Sequence, residues 1–113
     1  MATTIETTGL VTRVSEGRDL QPSSYYPEGR TAFDVTMRYP RAYQAHDGSY
    51  VLGRSFHKAT LYVRGQQQPS PIQSGMLIAA TLRFSSFPSR ENDNEVYAQC
   101  SIEAWRGIEW ADF

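Results

Sequence analysis

The sequence predicts an all-β domain of five strands. Apolar and polar side chains alternate with a period of two in five separate stretches, which is the pattern of strands that bury one face. No stretch of 11 residues shows the periodicity of an amphipathic helix. Glycine and proline interrupt the connections between the stretches, as they do in turns. A chain of 113 residues suits a single domain with one modest core.

The first strand is expected at about residues 5–14, with Gly9 as a bulge or a point of close backbone approach. Residues 15–30 contain two prolines and two glycines, and they predict an irregular connection that carries the pair Tyr25 and Tyr26. The other four strands are expected at about residues 31–39, 56–64, 76–84 and 96–105.

The alternation also predicts which side chains face the core. The second strand is expected to bury Phe33, Val35, Met37 and Tyr39. The third is expected to bury Ala59, Leu61 and Val63, and to leave Lys58, Thr60, Tyr62 and Arg64 outside. The apolar face of the fifth consists of Val96, Ala98, Cys100, Ile102 and Ala104. The outward row of the third strand is therefore basic and aromatic.

A projecting β-hairpin arm is expected between the second and third strands. Pro40 interrupts the ladder, since proline lacks the backbone N–H. Asp47 and Gly48 form the dipeptide that favours a tight hairpin turn, and Tyr43 and Tyr50 flank it.

The charge is unevenly distributed along the chain. Residues 1–90 hold ten basic and six acidic side chains, whereas residues 91–113 hold one basic and six acidic. Ten of the eleven basic side chains are arginine, which stacks on planar groups and binds phosphate with two nitrogens. A basic body that ends in an acidic tail fits an anionic ligand, although a GC-rich genome also yields arginine.

Catalysis and metal binding find little support in the sequence. Cys100 is the only cysteine, so an internal disulfide is excluded and zinc would lack thiolate ligands. His46 and His57 have no Cys or Glu at ligand spacing, and no nucleophile or nucleotide-binding motif occurs. We expect a protein without enzymatic activity or cofactor. Since no signal-like or membrane-spanning segment is found, we expect a cytoplasmic location without membrane contact.

The order of strands and interruptions is typical of an OB-fold, a five-stranded Greek-key barrel, with an SH3-like barrel as the nearest competitor. The segments TTGLVTRV, TAFDVTMRY, HKATLYVRG and SGMLIAATLRF resemble four successive strands of the bacterial and phage single-stranded DNA-binding protein family. The resemblance covers about residues 7–105. The connection GQQQPSPIQSG departs from the family, which normally has a helix there, because it is too short and too rich in proline.

The resemblance implies an OB-fold domain at residues 1–105 and a short acidic tail at 106–113. It implies binding of single-stranded DNA with little sequence specificity, in replication, recombination or repair, with RNA left open as a ligand. The departures favour a divergent member, encoded by a phage or plasmid, or a primosome-type relative. A homodimer or homotetramer is expected, with Val51, Leu52 and Trp105 as candidate contacts. The tail either recruits replication proteins and competes for the basic groove, or is merely a solvated chain end.

Single-strand binding requires cations for the phosphates and flat side chains for the bases. The candidate nucleic-acid-binding residues are Arg38, Arg41, Tyr43, Tyr50, Arg54, Phe56, Lys58, Tyr62, Arg64, Arg83 and Phe87. An alternative reading makes Tyr43 and Tyr50 cross-strand partners that stabilise the hairpin, with the arginines solvating it. The corresponding alternative function is a protein-docking module that uses the arm and the acidic end.

Overall fold

The structure, a computed structural model, describes the backbone of residues 2–38, 42–44, 47, 50–52, 56–88 and 96–112. The side chains described are those of residues 3–38, 47, 56–85 and 99–112. The strands are β1 (Ala2–Val14), β2 (Arg18–Leu20), β3 (Arg30–Arg38), β4 (Ala42–Gln44), β5 (Tyr50–Leu52), β6 (Phe56–Arg64), β7 (Leu77–Pro88) and β8 (Val96–Gly107). A 3-10 turn follows at Trp110–Asp112. No helix in this part of the chain is long and apolar enough to cross a membrane.

Five of the strands close into a barrel. Their order is β1-β7-β8-β6-β3, and β3 pairs back with β1 to complete the circle. The contacts are antiparallel except that between β6 and β8, which is parallel. The predicted barrel of five strands is thereby confirmed. The short strand β2 extends the sheet beyond β3.

The barrel closes because β1 changes partner halfway along its length. Its first part pairs with β7 as far as Leu10, and its last part, from Leu10, pairs with β3. Gly9 lies at this crossing, where an added Cβ would be 3.0 Å from the Cβ of Met37. The predicted close approach at Gly9 is confirmed. The bulge itself lies between Val11 and Arg13, where the register with β3 shifts.

The core faces predicted for the second and third strands are confirmed for the described side chains. The buried apolar residues include Phe33, Val35, Met37, Ala59, Leu61, Ile78, Ala80 and Leu82. One further core residue, Ile72, is fully buried although it lies in the loop between β6 and β7. The Ser70 hydroxyl donates a hydrogen bond to the Ile72 carbonyl (2.6 Å) and accepts one from its N–H (3.2 Å). This loop has turns and no helix, as its prolines predict.

A bulge in β8 reverses the alternation predicted for that strand. Thr81 is the register partner of Ala104, but the next residue of β7, Leu82, pairs with Ile102, so Glu103 is the extra residue. Ile102 is buried as predicted. Beyond the bulge, Ala104 is exposed and Trp105 packs against the core. The assignment of Ala104 to the apolar face was therefore wrong.

The connection expected to be irregular contains strand β2. Its residues Arg18, Asp19 and Leu20 pair with Ala32, Thr31 and Arg30 of β3. The Asp19 carboxylate accepts a hydrogen bond from the Gln67 N–H (2.8 Å), and the Gln66 side chain donates one to the Leu20 carbonyl (3.2 Å). Three residues are too few to show alternation, so tertiary contacts decide this strand.

The hairpin between β3 and β6 is present. Strands β4 and β5 form a separate two-stranded sheet in which Tyr43 pairs with Val51 and Gln44 with Tyr50. Tyr43 and Tyr50 are thus not register partners, contrary to the reading of a direct cross-strand pair. Asp47 lies in a turn, and Gly48 is outside the described residues.

Replacing Gly9 with alanine is expected to destabilise the protein by about 1–3 kcal/mol, because the new methyl group overpacks against Met37 at the crossing of β1. Gly107 provides the control, since an added Cβ there meets nothing within 4 Å. G107A should change the free energy of unfolding by less than about 0.5 kcal/mol. Denaturant unfolding of both variants measures this difference, and equal stabilities would contradict the role of Gly9.

Candidate nucleic-acid interface

The outer side of strands β3 and β6 carries a row of basic, polar and aromatic side chains, which we call the β3–β6 face. The register pairs across this face are Arg30 with Arg64, Ala32 with Tyr62, Asp34 with Thr60, Thr36 with Lys58, and Arg38 with Phe56. The alternate residues of both strands point into the core. The face is therefore fixed by the same alternation that builds the barrel.

At one end of the β3–β6 face, a guanidinium contacts two aromatic rings. The Arg30 Cζ lies 4.2 Å from the ring centroid of Tyr26 and 4.5 Å from that of Tyr62. Both distances are within the range of cation–π contacts. The Tyr62 hydroxyl accepts a hydrogen bond from the side-chain amide of Gln99 on β8. The loop before β3, strand β6 and strand β8 thus meet around Arg30.

The loop before β3 holds Tyr26 in place. The Tyr26 carbonyl accepts hydrogen bonds from the N–H groups of Ser23 (3.0 Å) and Gly29 (2.9 Å), and the Tyr26 N–H donates to the Ser23 hydroxyl (3.2 Å). Gly29 has a φ of 74°, which favours glycine, and its carbonyl accepts from the Gly65 N–H at 2.9 Å. Tyr25 is 86% exposed. Of the two adjacent tyrosines, Tyr26 packs back on the barrel.

Two ion pairs cross the same region. Arg18 of β2 contacts Asp34 with an Nη1–Oδ2 distance of 2.7 Å, and Arg64 contacts Glu28 with an Nε–Oε1 distance of 3.3 Å. The Arg64 side chain is 73% exposed and the Arg18 side chain 53% exposed. Exposed pairs contribute little to stability because water screens them. Both arginines therefore remain accessible to an anionic ligand.

Asp34 is the carboxylate at the centre of the β3–β6 face. The hydrogen bond from Arg18 is the main cause that holds the pKa of Asp34 below its ordinary value, and the charges of Arg18 and Lys58 act in the same direction. The Thr60 hydroxyl adds a long hydrogen bond of 3.5 Å. Asp34 consequently stays ionised and orients Arg18 on the face.

The other end of the β3–β6 face carries Lys58 and Phe56. Lys58 is exposed, and the Phe56 side chain is 59% exposed. Arg38, the register partner of Phe56, is half-buried, and its Nε is buried with no hydrogen-bond acceptor among the described residues. An exposed aromatic ring beside cations is the combination that stacks on bases.

Arg83 lies on the neighbouring wall of the barrel, in register with the β3–β6 face. Arg83 pairs with Ser101 of β8, and Ser101 pairs with Thr60 of β6. Arg83 is exposed and lies two strands, or about 10 Å, from Thr60. It can therefore extend a path of cations around the barrel.

The structure brings together Phe56, Lys58, Tyr62, Arg64 and Arg38 from the predicted binding residues, with Arg83 nearby. Arg41 and Arg54 lie outside the described residues. Tyr43, Tyr50 and Phe87 are described only by their backbone positions in β4, β5 and β7. Their predicted roles stay predictions.

Sequence reasoning missed Arg18 and Arg30 as members of the site. Both were placed in an irregular loop, whereas Arg30 begins β3 and Arg18 begins β2. Extending the alternation of β3 by one residue would have placed Arg30 on the outer face beside Asp34 and Thr36. No local signal identifies Arg18, because β2 forms only against β3.

Among solved structures, the chain is similar to a deletion mutant of the single-stranded DNA-binding protein from Thermus aquaticus, with 15% sequence identity and a TM-score of 0.57. The match covers 95% of this chain and 50% of that one, so this chain spans half the length of its structural neighbour. No protein-family model and no curated protein matches the sequence. The likeness, together with the closed barrel, shows that the chain is an OB-fold protein.

Replacing Asp34 with asparagine is expected to lower stability at neutral pH, because the ion pair with Arg18 is lost. The folded-state pKa of Asp34 is lowered, so its contribution is present above the unfolded pKa of about 3.9 and is lost as pH falls through the folded value. The stability difference between wild type and D34N should therefore shrink from pH 7 to about pH 3.

Thermal unfolding at both pH values measures this change. The control is D112N, which removes an exposed carboxylate from the terminal 3-10 turn. It should alter stability by less than about 0.5 kcal/mol at either pH. A D34N deficit that is equally large at pH 3 would show that lost packing, rather than charge, is responsible.

Proposed function

We propose that the protein binds single-stranded DNA with little sequence specificity across the β3–β6 face. Lys58, Arg64 and Arg18 contact phosphates, while Tyr62 and Phe56 stack on bases. Binding of this kind protects the strand during replication, recombination or repair.

The observation that carries this proposal is the placement of Tyr62 and Phe56 within one row of exposed cations. Cations along the backbone and aromatic rings for the bases are the two requirements of single-strand binding. The row continues along β6, a strand of nine residues, or about 30 Å. In OB-folds the strands corresponding to β3 and β6 form the usual face for oligonucleotides.

The structural neighbour supports the same function. Its name describes a single-stranded DNA-binding protein, and the similarity extends over 95% of this chain. The net charge of −1 does not oppose the proposal, because the ligand meets the local cations of the face rather than the average charge.

A single barrel offers only a short path for a DNA strand, so the proposal includes residues and subunits that extend this path. The arm residues Arg41, Tyr43, Tyr50 and Arg54, together with Arg38, Arg83 and Phe87, lengthen the path of the strand. A homodimer or homotetramer joins several such paths and raises the effective affinity. The acidic tail at residues 106–113 recruits replication proteins. Function inside a bacterial cell, for a phage- or plasmid-encoded protein, completes the proposal.

Fluorescence anisotropy with labelled oligo-dT of about 30 nucleotides tests the proposal directly. We expect tight binding to the single strand, weak binding to the matching duplex, and a steep loss of affinity between about 50 mM and about 200 mM salt, because bound counterions are released. No binding at low salt would discard the proposal and favour the protein-docking module. Binding that is insensitive to salt would contradict the phosphate contacts.

Replacing Lys58 with alanine should weaken binding and reduce the slope of log K against log salt by about 0.7, the value for one phosphate on a single strand. R106A is the matched control, because it also removes one cation. Arg106 lies beside Glu6, Thr7 and Thr8 in an open depression on the β1–β7–β8 wall. Equal slopes for K58A and R106A would indicate a diffuse charge effect instead of a defined face.

A further inference from the structure

The ring faces of Tyr26 and Tyr62 are occupied by a side chain of the protein itself. The Arg30 guanidinium lies over both rings, at 4.2 Å and 4.5 Å from their centroids. A nucleobase that stacks on the same face of Tyr62 needs the same space. Binding of a base at this position therefore requires Arg30 to leave.

The space between the rings fits a flat group. The Arg30 Cζ lies 4.2 Å from the centroid of the Tyr26 ring and 4.5 Å from that of the Tyr62 ring. Both distances are short enough for a planar group to contact both rings. A guanidinium is planar and delocalised, and it stacks as an aromatic group does. A base is planar as well, so it can make the same two contacts that the guanidinium makes now.

We propose that Arg30 is an internal occupant of a base-binding slot between Tyr26 and Tyr62, and that one unstacked base of a single strand replaces it. The displaced guanidinium keeps its charge and binds a phosphate of the same strand. This inference rests on the proposed function, whose ligand it describes at the level of one nucleotide.

The strengths of the two kinds of contact favour the replacement of Arg30 by a base. A cation–π contact at an exposed site contributes about two- to fivefold to the equilibrium for each ring. Stacking of a base on an aromatic side chain contributes about five- to 150-fold. The two ion pairs near the slot hold Arg18 and Arg64 rather than Arg30. The guanidinium is thus held chiefly by contacts weaker than those of the base that replaces it.

The surroundings keep the slot ready for a base. The backbone hydrogen bonds around Ser23 and Gly29 fix Tyr26, and the Gln99 amide holds the Tyr62 hydroxyl. Neither set of bonds involves Arg30. The rings can therefore stay in place while the guanidinium moves. Because bases in a duplex are already stacked on each other, the slot selects single strands.

Nuclear magnetic resonance of the arginine side chains tests the exchange in the wild-type protein. In the free protein the Arg30 Hδ protons should be shifted upfield by the ring currents of Tyr26 and Tyr62; R30K assigns these signals. On saturation with oligo-dT, the signals should move to the positions of a free arginine. Arg106, in the depression on the β1–β7–β8 wall, gives the control signals.

Two outcomes separate this inference from the proposed function. If oligo-dT binds by anisotropy while the Arg30 signals stay shifted upfield, the slot is overturned and single-strand binding stands. If oligo-dT does not bind at all, both proposals fail.

A pair of variants gives an independent test. R30A and R64A each remove one cation from the same end of the β3–β6 face, since Arg30 and Arg64 are register partners. Only R30A also empties the slot. At about 200 mM salt, R30A should bind oligo-dT about 4- to 25-fold more tightly than R64A, the product of two ring contacts. Equal affinities, or weaker binding by R30A, would overturn the slot.

Discussion

The structure depends on the crossing of β1, where one strand leaves β7 and joins β3. Gly9 suits this crossing, because a Cβ at this position would lie only 3.0 Å from the Cβ of Met37. Because β1 pairs with both β7 and β3, the five barrel strands close into a ring. The inner side of this ring forms the core. Ile72 contributes to the same core from the loop where the resembled family has a helix. The outer side of β3 and β6 is then held rigidly for contacts with a ligand.

Three cations on and beside the β3–β6 face already have partners within the protein. Asp34 holds Arg18, Glu28 holds Arg64, and the rings of Tyr26 and Tyr62 hold Arg30. Such contacts are weak at an exposed surface, so they orient the side chains without preventing exchange. A polyanion with accessible bases can replace each of these partners. Its phosphates can take the place of the carboxylates beside Arg18 and Arg64, and a base can take the place of the Arg30 guanidinium beside the two rings. An overall charge near zero is compatible with this arrangement.

Much of the barrel could be predicted, because alternation is a local property. The bounds of β6 were predicted to the residue, and the buried faces predicted for β3 and β6 agree with the structure. The alternation failed at two places where strand pairing matters. Strand β2 is too short to carry a pattern, and the bulge at Glu103 turns Trp105 toward the core in place of Ala104. A bulge depends on the partner strand, which local sequence does not reveal.

The sequence by itself determined that the chain forms the five strands of the barrel, which side chains of β6 face outward, and that this outward row is basic and aromatic. Period-two alternation and the steric limits of glycine and proline act within a few residues, so they can be read directly. Only the tertiary structure decided which cation meets which ring. Arg30 is four residues from Tyr26 but 32 from Tyr62 along the chain, and the pairing of β3 with β6 brings all three together. Strand order and register set such contacts, because they depend on the closure of the whole barrel.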